Sequence, residues 1–131
     1  MSQYAGVERR QFKRAQAVFI STVQIEEPFR LRLEMGEEQI HAIMQDLSEG
    51  GMGILVNRDI PQASVAAVHF IMFNEHAMLQ QDRVRPTQVT GEVRYAIVRQ
   101  HGEFRLGLRF KGINPGDRAA IAEFVKFAVP I

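Results

Sequence analysis

The sequence contains no cysteine and no tryptophan, only two tyrosines, and no long apolar run. The missing cysteines exclude disulfides, thiolate catalysis and cysteine zinc sites, and they are compatible with a reducing cytoplasm. The longest apolar stretch, Val65–Phe73, is interrupted by His69 and is far too short to span a bilayer. We therefore expect a cytoplasmic protein without membrane insertion.

Excess charge of one sign is also missing, because the formal net charge of the 131 residues is only +1. A protein that binds a long nucleic acid needs many cationic contacts spread over one face. The charge balance therefore argues against extended nucleic acid as a partner. The length is that of one domain with its own hydrophobic core.

Residues that could support catalysis are scattered along the chain. The four histidines show no metal-ligand spacing, and Ser48 lacks the first glycine of a nucleophile elbow. The glutamate pairs at 26–27 and 37–38 fall at predicted turns, where solvated charges are usual. We expect no metal site, no catalytic residue and no enzymatic activity.

Alternation in two segments, and short stretches rich in apolar and β-branched residues elsewhere, predict that most of the chain is β-structure. Residues 29–35 (FRLRLEM) alternate strictly, which predicts a half-buried strand that forms a hairpin with residues 39–45. Other predicted strands lie at 17–25, 51–56, 65–73, 87–99 (with a bulge at Gly91) and 103–110. Residues 74–86 break the pattern.

Helical periodicity is confined to the C-terminal end. After Asn114, the residues Ile121, Phe124, Val125 and Ala128 recur at the spacing of one helix face, and Pro130 ends the segment. The predicted architecture is all-β: six or seven antiparallel strands, closed as a barrel or packed as a sandwich, with one C-terminal helix covering an open end.

A cluster of cations near the N-terminus contains the pattern RxxxR. It consists of Arg10 to Arg14, preceded directly by Arg9. By itself the pattern is weak, since about one match is expected by chance in a chain of this composition, and a solvated tail would explain it equally well. Residues 1–16 are predicted to form a flexible arm, and residues 17–131 the barrel domain.

A second pattern, DxSxxG, runs from Asp46 through Ser48 to Gly51. Roughly 0.02 matches to [D/N]xSxxG are expected by chance here, so this pattern is informative. The structural alternative is a tight turn in which Asp46 or Ser48 bonds local backbone and the glycines supply positive φ.

With these two patterns in this order, about thirty residues apart, the chain resembles the PilZ domains, bacterial receptors for cyclic di-GMP. Gly91-Glu92-Val93 and the late Leu106-Gly107-Leu108-Arg109-Phe110 also fit the family. The resemblance covers about nine tenths of the chain. It implies a six-stranded antiparallel barrel with a C-terminal helix, which agrees with the architecture predicted from periodicity.

The resemblance also implies a role for each residue of the two patterns. Arg10 and Arg14 would hold phosphate oxygens and the O6/N7 edge of guanine, which suits the planar guanidinium fork. Asp46 would accept from guanine N–H groups, Ser48 would bond phosphate or base, and Gly51 would let the ligand approach the backbone.

Two further residues receive roles from the resemblance. An arginine directly before RxxxR, here Arg9, tends to accompany an intercalated ligand dimer, which predicts two cyclic di-GMP molecules per chain. Tyr95 occupies roughly the place of a larger aromatic that stacks on guanine, although packing within the barrel explains it equally well.

The predicted function is that of a non-catalytic second-messenger receptor in which ligand binding orders the arm and alters a surface read by an unidentified downstream protein. One alternative is a protein-interaction module of the same fold that has lost the ligand. Another is a small barrel that binds single-stranded nucleic acid. Residues 74–86 are the candidate partner-specific surface.

Overall fold

The computed structural model describes residues 12–36 and 38–130. Within them the strands are β1 (Ala15–Gln16), β2 (Ile20–Glu27), β3 (Ile40–Leu47), β4 (Gly51–Val56), β5 (Val65–Phe73), β6 (Val84–Val98) and β7 (Phe104–Ile113). The helices are α1 (Phe29–Met35) and α2 (Pro115–Phe127), with a short 3-10 helix at Gln80–Asp82.

Six antiparallel strands close into a barrel because β3 is paired along both edges. Their order is β3, β2, β5, β6, β7 and β4, and β4 returns to pair with β3. The short β1 lies beside the end of β3, with Ala15 opposite Leu47 and Gln16 opposite Asp46. The predicted six-stranded barrel is thereby confirmed, and the sandwich is excluded.

The core fills the inside of the barrel with alternate side chains of each strand. Fully buried members include Met44, Met52, Ile54, Val68 and Leu106. Helix α2 adds Ile121 and Val125 to the same core, as its spacing predicts. Its N-terminus is capped by the Asn114 side chain, which accepts from the Asp117 backbone N–H at 2.7 Å.

The strand predicted at 29–35 is wrong, because these residues form helix α1 after Pro28. Seven alternating residues also place Leu31 and Met35 at i and i+4, so the pattern satisfies a helix as well as a strand. Met35 is buried and Leu31 packs against the core, whereas Phe29 and Leu33 are exposed. The hairpin predicted between 29–35 and 39–45 is therefore a pairing of β2 with β3, with α1 in the connection.

The long strand β6 begins at Val84, three residues before the predicted start at Thr87. The bulge expected at Gly91 is present as a shift in register between Thr90 and Gly91, and a second, unpredicted shift lies between Val93 and Tyr95. A bulge of this kind turns neighbouring side chains toward one face. The second shift bears directly on the functional site.

Candidate functional site

The site is organised around Asp46, near the end of β3. This residue is paired with Gln16 of β1 on one side and with Gly53 of β4 on the other. Its side chain is only 3% exposed, and each carboxylate oxygen accepts from a different arginine. Arg14 donates from Nη1 to one oxygen, and Arg105 donates from Nη2 to the other at 2.6 Å.

Arg105, on β7, was not singled out from the sequence. Burial opposes its charge and lowers the pKa of its guanidinium, but the hydrogen bond to Asp46 and the electrostatic attraction of the Tyr95 oxygen and the Asp46 carboxylate outweigh this and raise the pKa. It also donates to the side-chain oxygen of Gln45. Because a guanidinium is already fully protonated in the ordinary pH range, Arg105 keeps its positive charge throughout that range.

Ser48 forms a tight turn with the residues that follow it. Its hydroxyl accepts from the backbone N–H groups of Gly50 and Gly51 at 3.2 and 3.1 Å. The same hydroxyl donates to the Gly51 carbonyl oxygen at 3.2 Å. The turn anticipated as the structural alternative is therefore present. Positive φ is not its cause, since the described glycines with positive φ are Gly36 and Gly102.

Close packing explains the glycines of this segment. A Cβ on Gly51 would lie 2.2 Å from the carbonyl oxygen of Leu108 on β7, and one on Gly53 would lie 2.6 Å from the Asp46 carboxylate. On β7, a Cβ on Gly107 would lie 1.9 Å from the ring of Tyr95. The glycines thus let β4 approach β7 and make room for the ion pair and the aromatic ring.

Beside this turn lies an open cleft of about 340 Å³, within the range usual for small-molecule sites. Below it is called the cationic cleft. The described residues that line it include three arginines and no acidic side chain: Phe12, Arg14, Ser48, Gly50, Gly51, Arg94, Tyr95, Gly107, Leu108 and Arg109. Such a cleft attracts small anions.

The structure brings together four of the seven predicted site residues in this cleft: Arg14, Ser48, Gly51 and Tyr95. Asp46 does not line the cleft but holds Arg14 at its edge. Arg9 and Arg10 lie outside the described residues.

The last residues of the predicted arm lie on the barrel. Phe12 packs on Gly50, Arg14 pairs with Asp46, and β1 is bonded to β3. The Gln16 backbone N–H also donates to the Val129 carbonyl at 2.8 Å, which ties β1 to the residues after α2. Residues 12–14, the described part of RxxxR, therefore lie beside the cleft, and β1 connects them with the C-terminal end.

The sequence reasoning missed three arginines of the site, Arg94, Arg105 and Arg109. A signal for two of them was available: in β7, Leu106 and Leu108 face the core, so the alternating Arg105, Gly107 and Arg109 must share the outer face. Alternation after buried Val93 also turns Arg94 outward, but it would turn Tyr95 inward, so only the bulge explains why both residues line the cleft.

Two findings concern other kinds of site. In residues 12–36 and 38–130, no three or more His, Cys, Asp or Glu side chains are grouped in a way that could hold a metal ion. Neither α1 nor α2, the helices of this described part, has the length and apolar character needed to cross a membrane.

Comparison with known proteins gives one family. The model of the PilZ domain matches residues 8–127. The fold is similar to that of MotI/DgrA, the inhibitor of motility of Bacillus subtilis, with 18% identity and a TM-score of 0.70 over 90% of this chain and 50% of that one. The chain thus spans half the length of the MotI/DgrA chain.

Two structures of YcgR from Escherichia coli are also similar. Its PilZ domain with c-di-GMP has 16% identity and a TM-score of 0.56, covering 90% of this chain and 89% of that one. YcgR in complex with c-di-GMP has 18% identity and a TM-score of 0.55, covering 86% and 42%. No curated protein matches the chain.

Proposed function

The chain belongs to the PilZ domain family, and from that membership we propose that it is a non-catalytic receptor for cyclic di-GMP. The observation that carries the proposal is the convergence of the two patterns: Arg14 of RxxxR is paired with Asp46 of DxSxxG at the edge of one cationic cleft. The similar YcgR structures contain the same nucleotide, which supports this ligand.

The chemistry of the cleft suits this ligand. Cyclic di-GMP carries two phosphodiester anions and two guanines, and guanidinium forks bind both phosphate oxygens and the O6/N7 edge of guanine. We assign Arg10 and Arg14 to these contacts, Ser48 to the phosphate or base, and Tyr95 to stacking on guanine. Arg9 would contact a second, intercalated nucleotide.

Asp46 has a specific requirement in this scheme. Both of its oxygens already accept from arginines, and its side chain is nearly inaccessible. It can bond guanine N–H groups only if Arg14 turns from the carboxylate toward the ligand. We therefore infer that Arg14 exchanges Asp46 for the nucleotide on binding, while Arg105 keeps the carboxylate in place.

The expected result of removing Arg14 is a loss of affinity. Because charge-assisted hydrogen bonds contribute about 1.5–3 kcal/mol each, we expect Arg14→Ala and Arg10→Ala each to weaken binding ten-fold or more in isothermal titration with cyclic di-GMP. Arg14→Lys keeps the charge but loses the fork, so it should also bind poorly. Exposed Arg118, on α2 away from the cleft, provides the control Arg118→Ala.

The same titration decides between one and two bound nucleotides. A stoichiometry near two supports the role of Arg9, and a value near one rejects it. If the unaltered protein releases no heat and no labelled cyclic di-GMP is retained in equilibrium dialysis, the receptor proposal is wrong, and the protein-interaction module becomes the better description.

We further propose that binding closes the arm over the barrel and so changes a surface read by a protein partner. Strand β1 supports this relay because it connects Arg14 with the chain after α2, through the bridge of Ala15 to Pro130. Exposed Val129 lies on that part of the chain, and exposed Phe127 ends α2 directly before it. A movement of the arm would therefore alter the surface at the C-terminal end.

Limited trypsin digestion tests the closure of the arm. Trypsin cuts after arginine, and we expect cleavage after Arg9 and Arg10 to slow at least several-fold when cyclic di-GMP is bound, because binding would order these residues. Cleavage after Arg99, in the exposed turn between β6 and β7, serves as the internal control. Equal cleavage at Arg9 and Arg10 with and without nucleotide would contradict the closure.

A further inference from the structure

The wall of the cationic cleft opposite the arm is built by β6 and β7. Arg109 of β7 lies in register with Gly51 of β4 on one side and with Glu92 of β6 on the other. Its neighbour Leu108 is buried, so Arg109 projects outward beside the end of the DxSxxG turn. Among the residues that the structure describes, no carboxylate forms an ion pair with Arg109.

The bulge in β6 adds Arg94 to this wall. Val93 is opposite Leu108 and Tyr95 is opposite Gly107, so Arg94 between them has no partner in β7. A bulge leaves the extra residue unpaired and re-aims its side chain, and here both Arg94 and Tyr95 line the cleft. Without the bulge, strict alternation would turn one of the two away from the ligand.

Arg94 and Arg109 differ in whether a carboxylate forms an ion pair with them. The Nη1 of Arg94 is 3.1 Å from the Glu92 carboxylate, but the Arg94 side chain is 55% exposed, so this pair is weak and readily exchanged. Arg109 has no comparable competitor in the described part of the chain. The wall therefore presents two guanidinium groups, and the charge of one of them, Arg94, is partly neutralised by the Glu92 carboxylate.

We propose that Arg94 and Arg109 form a second phosphodiester-binding subsite on the β6–β7 wall of the cleft that Arg14 of the arm also lines. The proposal rests on the proposed function, and it assigns residues that neither RxxxR nor DxSxxG contains. A cyclic dinucleotide carries two phosphodiester anions on opposite sides of its ring. Cations on two facing walls match that charge distribution better than cations on the arm alone.

The charge count favours the same conclusion for an intercalated pair of nucleotides. Such a pair carries four phosphodiester charges, whereas the arm supplies three guanidinium groups, from Arg9, Arg10 and Arg14, and the ammonium of Lys13, which lacks the planar fork that binds a phosphate through two parallel hydrogen bonds. Adding Arg94 and Arg109 gives five guanidinium groups, of which Arg94 is paired with Glu92 and Arg14 with Asp46 before the ligand binds.

The test is isothermal titration of cyclic di-GMP into the double variant Arg94→Gln/Arg109→Gln. Its control is Arg99→Gln/Arg118→Gln, which removes the same charge from exposed arginines outside the cleft. We expect the first variant to bind at least ten-fold more weakly than the control. Glu92→Gln should act in the opposite direction and tighten binding about two- to five-fold, because it releases Arg94.

Stoichiometry then identifies the source of the phosphodiester. If the double variant binds half as many nucleotides as the unaltered protein, the subsite holds a second molecule; if it binds the same number more weakly, the subsite holds the second phosphodiester of the first. Affinity equal to that of the control within two-fold would overturn the subsite and leave the receptor function intact. Absence of binding by the unaltered protein would overturn both.

Discussion

Replacing Asp46 with alanine is expected to lower the free energy of unfolding by roughly 2–3 kcal/mol and to weaken cyclic di-GMP binding more than ten-fold. Losing one partner of a buried ion pair costs about 3–5 kcal/mol, because the remaining charge stays buried without a counter-ion. Here the remaining charges are Arg14 and Arg105, which are 24% and 21% exposed and can regain water. The loss should therefore fall below that range.

Urea denaturation measures this effect, and the chain offers a matched control. Glu38 pairs with Arg58 at 2.9 Å, but both side chains are about half exposed, so Glu38→Ala should cost less than about 1 kcal/mol. Asp46→Asn keeps the shape of the side chain and one acceptor oxygen. Its loss of unfolding free energy should therefore lie between the losses for Asp46→Ala and Glu38→Ala. Equal unfolding free energies for Asp46→Ala and Glu38→Ala would show that the pair contributes nothing beyond a surface contact.

Replacing Gly51 with alanine is the second change with a large expected effect. The new Cβ would lie 2.2 Å from the Leu108 carbonyl oxygen, a backbone atom that cannot rotate away, so β4 and β7 would have to separate locally. Overpacking of this kind costs about 1–3 kcal/mol, and we expect the upper part of that range or more. The displaced strands also carry the Ser48 turn and Arg109, so binding should be lost as well.

Gly112→Ala is the control for this substitution. Gly112 is likewise a strand glycine, in β7, but a Cβ there would lie 3.6 Å from the Thr90 side chain, an ordinary contact, so the stability should change by no more than about 0.5 kcal/mol. Thermal melting of both variants separates two roles of Gly51. If Gly51→Ala melts like Gly112→Ala but no longer binds cyclic di-GMP, the glycine serves the approach of the ligand and not the packing of the strands.

Local alternation of apolar and polar residues is decisive in some segments and ambiguous in others. Val65–Phe73 is predicted as a strand from a short, nearly continuous apolar run, and the β7 segment from clean alternation of apolar residues with Phe104 and Phe110 among them. The 29–35 segment alternates equally well, yet it is helical, since seven residues cannot distinguish a period of two from an i, i+4 pair. In the folded chain the segment is a helix that packs Leu31 and Met35 against the core.

Local sequence patterns also predict only part of the functional site. Motif chemistry alone predicts Arg10, Arg14, Asp46, Ser48 and Gly51 as site residues, because the residue types and spacing of the two patterns together are improbable by chance. It misses Arg105, which lies 59 residues from Asp46 and contacts its carboxylate. It also assigns Gly51 to ligand approach alone, whereas the backbone contact with Leu108 requires glycine at that position.

The sequence by itself determined the features that depend on neighbouring residues: the barrel strands, the C-terminal helix after Asn114, and the two patterns that mark the family. Only the tertiary structure decided which arginines share a cleft and what holds Asp46. Those contacts depend on strand register and on a bulge between Val93 and Tyr95. Register is set by how the whole barrel packs, so no local run of residues encodes it.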